Sequence, residues 1–93
     1  MKNTNINKIR VKLDNIDIKL LKIIKKRSLL VDRILKHKKN KKEIIDQKRI
    51  NFILKKIKKY SLKIKLDPKI SNNIWKAMIK SFINYEFRKF KKN

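Results

Sequence analysis

Apolar residues in the first part of the chain fall at Ile6, Ile9, Leu13, Ile16, Leu20, Ile23/Ile24, Leu30/Val31 and Ile34. Steps of three and four mark one face of a helix, so the spacing predicts a long amphipathic helix over about 5–38. Two steps of this stripe carry cations instead: Arg27 between Ile23 and Leu30, and Lys38 after Ile34. Both cations therefore face the buried side, unless their long stems carry the charged heads past the core to water. The segment 39–45 has no apolar period until its end and reads as a loop. Asp46 can cap a second helix over 46–64, with Arg49 in its first turn and apolar positions at Ile50, Ile53/Leu54, Ile57 and Ser61/Ile64. Leu66-Asp67-Pro68 is the sharpest boundary, because Asp as N-cap and Pro at the first helical position suit the unpaired N–H groups of a helix start. A third helix is predicted over 67–90, its inner face reading Ile70/Ser71, Ile74/Trp75, Met78/Ile79, Phe82 and Tyr85/Glu86.

These elements give an all-α fold, one domain over 1–93 with three helices per subunit and no internal repeat or Gly/Ser linker. Helix lengths also bear on assembly. A helix over 5–38 is roughly 50 Å long at ~1.5 Å per residue. A compact globule of this size is only about 30 Å across. The stripe stays apolar along the whole overshoot, so another chain is expected to cover it, most simply in an intertwined twofold homodimer whose pockets take residues from both protomers.

Composition narrows the chemistry. The chain has no Cys, one His and seven carboxylates, which leaves little for thiolate metal sites, zinc or a nucleophilic triad, so no metal is expected. With no Gly, folds rich in tight positive-φ turns are disfavoured and helices are not. The longest aliphatic run is Leu29-Leu30-Val31, far short of a bilayer span, and no apolar signal segment follows the N-terminus, so a cytoplasmic protein is expected. The formal charge is +23, but Lys, Ile and Asn supply 52 of the 93 residues, which points to compositional drift across the chain rather than to local selection for charge. Against that background the five arginines, Arg10, Arg27, Arg33, Arg49 and Arg88, stand out as places suited to a planar fork for carboxylate or phosphate.

Two inward cations on the first helix, an Arg opening the second and Glu86 on the inner face of the third could line one cavity suited to a small dianion. Ile9-Arg10, Leu13 through Ile16-Asp17, Leu20-Leu21, Arg27, Lys38, Asp46-x-x-Arg49 and Leu66-Asp67-Pro68 together resemble the all-helical chorismate mutase family over about residues 8–88. The resemblance implies an interlocked homodimer with two sites, and conversion of chorismate to prephenate, a step of aromatic amino acid biosynthesis, without metal, cofactor or covalent intermediate. Such a unimolecular rearrangement needs the substrate held in its folded conformer and the charge on the breaking ether oxygen stabilised, which fixed cations can do. By the same resemblance Arg27 and Arg10, the latter from the partner subunit, would clamp the two carboxylates. Lys38 would bond one carboxylate and the ether oxygen, Arg49 would orient the ring side, and Asp46 would act mainly through its main chain. Glu86 would complete the catalytic group with Lys38 and Arg27, and Ile34, Ile53, Ile79 and Ile83 would form dry walls.

The chain departs from the family's pattern in places. Where the mutases usually have Glu after the second-helix Arg, it has Ile50, as isochorismate pyruvate lyases have an apolar residue there, so elimination of pyruvate from isochorismate is the alternative reading. Glu86 stands where many members have Gln, and a carboxyl donates a hydrogen bond only when protonated. Phe82 replaces a frequent Ser, with Ser81 one residue out of place. A reading of another class is a basic helical binder of nucleic acid, for which Phe82, Tyr85, Phe87 and Phe90 interleave with Arg88, Lys89, Lys91 and Lys92. Cations on the buried stripe would be wasted on such a surface, so nucleic acid is not the expected partner. A plain coiled-coil module fails for the same reason.

Overall fold

The computed structural model describes residues 4–91, and every element in it is helical. Helix α1 runs over Thr4–His37, α2 over Gln47–Lys63 and α3 over Pro68–Lys89, with a short 3₁₀ helix at Lys41–Glu43. No helix among the described residues is long and apolar enough to cross a membrane. The chain divides into two units, Met1–Val31 and Asp32–Asn93.

The described part of the first unit is the body of α1, 34 residues long in all and free of Gly and Pro. Its apolar stripe is open to solvent: Ile6, Ile9, Leu13, Ile16, Leu20, Ile23 and Ile24 are between 40 and 60% exposed. Helical period therefore accounts for this segment, whose stripe is exposed among the described residues.

In the second unit α2 and α3 pack against each other across a tight connection. Asp46 caps α2 by accepting from the Arg49 N–H (3.0 Å), and Asp67 caps α3 by accepting from the Lys69 N–H (2.9 Å) with Pro68 beside it at the helix start. Ser61 and Ser71 face each other with their hydroxyl oxygens 2.6 Å apart, and both are buried. Ser61 Oγ also lies 2.6 Å from the Ile57 carbonyl and Ser71 Oγ 3.3 Å from the Pro68 carbonyl, so each hydroxyl has a helix carbonyl and the other serine as partners. Both buried hydroxyls are thereby satisfied, which is what allows two polar groups at the centre of a helix–helix contact.

The α2–α3 connection closes without glycine. Lys65 takes a positive φ of 61°, its N–H bonds to the Leu62 carbonyl (3.2 Å), and the Leu66 N–H bonds to the Ser61 carbonyl (2.9 Å). These are the two bonds of a Schellman motif, whose left-handed position normally favours Gly. The segment read as a loop between α1 and α2 contains its own short helix. Asn40 Oδ1 accepts from the Lys42 N–H (3.0 Å), while the Glu43 carboxylate accepts from the Asn40 N–H (3.1 Å) and the Lys39 N–H. Local side-chain bonds of this kind form a turn that hydrophobic periodicity cannot report. Ile44, directly after it, is the most deeply buried apolar side chain of the unit at 3% exposure, joined in the core by Leu35 and Ile79.

Replacing Lys65 by Gly relieves the side-chain conflict at the left-handed position. The expected gain is about 1 kcal/mol, seen as a rise of roughly 4–8 °C in the melting temperature of a domain this size. A lower melting temperature would show that the Lys65 side chain makes contacts worth more than its backbone strain.

Candidate active site

Lys38 is the first residue past α1, its N–H bonded to the Leu35 carbonyl at 3.1 Å. Its Nζ lies 2.8 Å from Oε1 of Glu86, which sits on the buried face of α3. This ion pair joins residues 48 positions apart, and its side chains are only 18% and 9% exposed. Ile79, Phe82 and Ile83 precede Glu86 by seven, four and three residues, so all four share one face of α3. Ile79 is buried and Phe82 and Ile83 are half-buried, as are Ile50 and Ile53 on α2. Charges in so apolar a setting interact more strongly than in water. Glu86 thus pairs with Lys38 and not with Lys89, which follows it by three residues. Lys89 instead holds its Nζ 6.0 Å from the centre of the Tyr85 ring.

The other residues singled out from the sequence are placed differently. The Asp46 carboxylate is spent on capping α2. Arg49 is exposed, with its guanidinium carbon 5.2 Å from the centre of the Phe52 ring, a cation–π contact that Lys56 repeats from 5.8 Å. Ile34 is 56% exposed. In the first unit Arg10 is exposed and Arg27 is half-buried. Lys38 and Glu86 are thus the pair that the second unit brings together. Among the described residues no three His, Cys, Asp or Glu side chains converge as a metal site.

Sequence reasoning missed one polar link. The Tyr85 hydroxyl donates to Oδ1 of Asp32 at 2.6 Å, tying α3 to the last turns of α1 beside the ion pair. The only hint was the place of Tyr85 on the inner face of α3; Asp32 lies off the apolar stripe and carries no spacing signal. An open depression of about 410 Å³ adjoins this link, lined by Asp32, Leu35, Lys36, Tyr85, Lys89, Phe90 and Lys91. Neither Lys38 nor Glu86 lines it. The pair has opposed charges with little exposure, whereas the depression is open to solvent and bordered by Lys36, Lys89 and Lys91.

Comparison with known proteins gives one family. The profile of the family described as chorismate mutase type II matches residues 9–87. No curated protein and no solved structure gives a match.

Because the Asp46 carboxylate serves α2 and its neighbours serve other ends, Asp46→Ala should destabilise the chain by about 1 kcal/mol, while Asp46→Asn keeps the cap and most of the stability. Urea unfolding of both variants checks this. Equal losses in the two would mean that the negative charge, not the cap, is what matters at this position.

Proposed function

The chain belongs to the chorismate mutase type II family, and chorismate mutase, an isomerase, is the activity that membership implies; on that premise we propose how this sequence carries it out. The family match over residues 9–87 is the observation that carries the reading, and the Lys38–Glu86 pair is the chemistry that supports it.

Conversion of chorismate to prephenate breaks an ether C–O bond and forms a C–C bond within one molecule, so no nucleophile or external proton acceptor takes part. What lowers the barrier is restraint of the folded conformer together with positive charge at the ether oxygen, where negative charge accumulates. In our reading Lys38 supplies that charge and also bonds one substrate carboxylate. Arg27 and the partner's Arg10 grip the carboxylates, and Arg49 swings from its place over Phe52 to orient the ring. Asp46 contributes through its main chain, since its carboxylate is occupied by the cap. Ile50, Ile53, Ile79, Phe82 and Ile83, with Ile34 once a partner subunit covers its exposed side, keep water out, which strengthens every one of these contacts.

Glu86 has a conditional part. In the free chain its carboxylate accepts from Lys38. A dianion arriving at Lys38 faces a repelling carboxylate, unless Glu86 is protonated and donates its O–H to the ether oxygen. Glu86→Gln, which always offers an N–H donor to the ether oxygen, should keep or raise turnover, whereas Glu86→Ala, which offers none, should lower it. Equal turnover in the two variants would remove Glu86 from this role.

The exposed stripe of α1 supports the intertwined dimer. Seven large aliphatic side chains in register along one helix face are costly to leave in water. A second α1 is the surface of matching length and period, and a single domain over 1–93 is then the unit that interlocks. Sedimentation should give a dimer, and Leu13→Glu with Ile16→Lys should yield monomers that have lost turnover. Monomeric wild-type protein with full turnover would contradict a shared site.

The direct test is purified protein given chorismate and, separately, isochorismate, with prephenate resolved from pyruvate and salicylate. Prephenate from chorismate is the expected product. Pyruvate from isochorismate alone would favour the lyase reading that Ile50 suggests. Consumption of neither would overturn the enzyme reading. Lys38→Ala and Arg27→Ala should each lose at least about 100-fold in kcat/KM, as removal of a charge aimed at the transition state does, with helix content preserved.

A further inference from the structure

The link between Tyr85 and Asp32 is not accounted for by that reaction, yet it lies next to the groups that perform it. Tyr85 and Glu86 are consecutive on α3, so their side chains leave the helix about 100° apart. Tyr85 reaches Asp32, inside the body of α1, and Glu86 reaches Lys38, the first residue beyond it. Two bonds leaving α3 at different angles fix both its rotation and its register against the end of α1, whereas either bond alone leaves a pivot.

The two bonds differ in what a ligand does to them. A dianion bound at Lys38 competes with Glu86 for the ammonium group, so the Lys38–Glu86 contact is weakened when the site fills. The Tyr85–Asp32 bond is untouched by that competition. At 2.6 Å it lies in the short range of hydroxyl-to-carboxylate bonds, which are stronger than neutral ones. The Tyr85 ring is itself held in place. It meets the Phe82 ring edge-on, with centroids 6.5 Å apart and planes at 85°, and it carries the Arg88 guanidinium carbon and the Lys89 Nζ each 6.0 Å from its centre.

Resting on the mutase reading, we propose that Tyr85 and Asp32 form a positioning pair that keeps Glu86 at its working distance from Lys38 while substrate occupies the site. Neither residue touches the reacting atoms. Their effect is on geometry, and displacement of a catalytic group by about 1 Å can cost up to ~100-fold in rate.

The experiment compares Tyr85→Phe, Asp32→Leu and Asp32→Asn with the wild type, with kcat and KM corrected for the folded fraction. Tyr85→Phe and Asp32→Leu are expected to lower kcat about tenfold with KM changed by less than about twofold. Asp32→Asn keeps an oxygen that accepts from the tyrosine and should retain most of kcat. The Tyr85→Phe/Asp32→Leu double variant should be no worse than either single one, because both remove the same bond. Loss of melting temperature with kcat per folded molecule unchanged would overturn the proposal, as would Asp32→Asn being as damaging as Asp32→Leu. Carbon-13 NMR of the Glu86 side-chain carboxyl in the ligand-free protein gives a readout that does not depend on turnover. Its resonance should move in Tyr85→Phe, and an unmoved resonance overturns the positioning. A wild type that consumes no chorismate, together with a moved resonance, would overturn the mutase reading while supporting the control of Glu86 by Tyr85.

Discussion

A cation one residue past the end of a helix and a carboxylate on the inner face of another helix meet in a poorly solvated place only if both helices are held where the charges touch. The Lys38–Glu86 pair imposes that constraint on this chain. Taking two charges out of water is costly, and their attraction repays the cost only at close range and in good geometry, so an ion pair of this kind is weak evidence for stability. It is better evidence for use. At 2.8 Å and with little exposure, the pair presents an ammonium group in an apolar setting that a bound anion can compete for. Much of the unit serves this placement. Glu86 shares the buried face of α3 with Ile79, Phe82 and Ile83, Leu35 is buried in the last turn of α1, and Ile44 is buried in the connection that follows Lys38.

Rules with a fixed geometry were legible in the sequence. Three- and four-residue spacing revealed the helices, and the order of three with a very long first one followed from it. Asp46 and Asp67-Pro68 mark helix starts because a side-chain acceptor, followed by proline in the second case, is what unpaired N–H groups require. Features that break a statistical preference were not legible. A turn closed by Lys65 in a left-handed conformation looks like any other lysine position, and in a chain without glycine the usual marker of such a turn is missing. The 3₁₀ helix at Lys41–Glu43 depends on Asn40 and Glu43 bonding to nearby backbone, which leaves no hydrophobic period to read. Ser61 and Ser71 were placed on inner faces, but their mutual bond is a matter of register between two helices.

The candidate site was legible to a different degree. Lys38 and Glu86 were singled out because one interrupts an apolar stripe and the other sits on one, and the structure pairs their side chains. The Tyr85–Asp32 bond escaped notice because Asp32 lies off the apolar stripe, where an acid breaks no local rule. Arg49, exposed and turned over Phe52, shows the opposite limit, since residue type and spacing say nothing of the rotamer a long side chain adopts. The open α1 stripe is a third case, in which the sequence pattern and the single chain agree that something apolar is unmet.

The central claim is that the Lys38 ammonium group, drawn away from Glu86, is what grips the substrate's ether oxygen and carboxylate. Calorimetric titration with a non-reacting bicyclic ether dicarboxylate, shaped like the folded transition state, addresses it directly. The account predicts saturable binding by the wild type and a loss of about 10- to 100-fold in affinity in Lys38→Ala, the worth of a charged hydrogen bond. Equal affinity in the two proteins would contradict it.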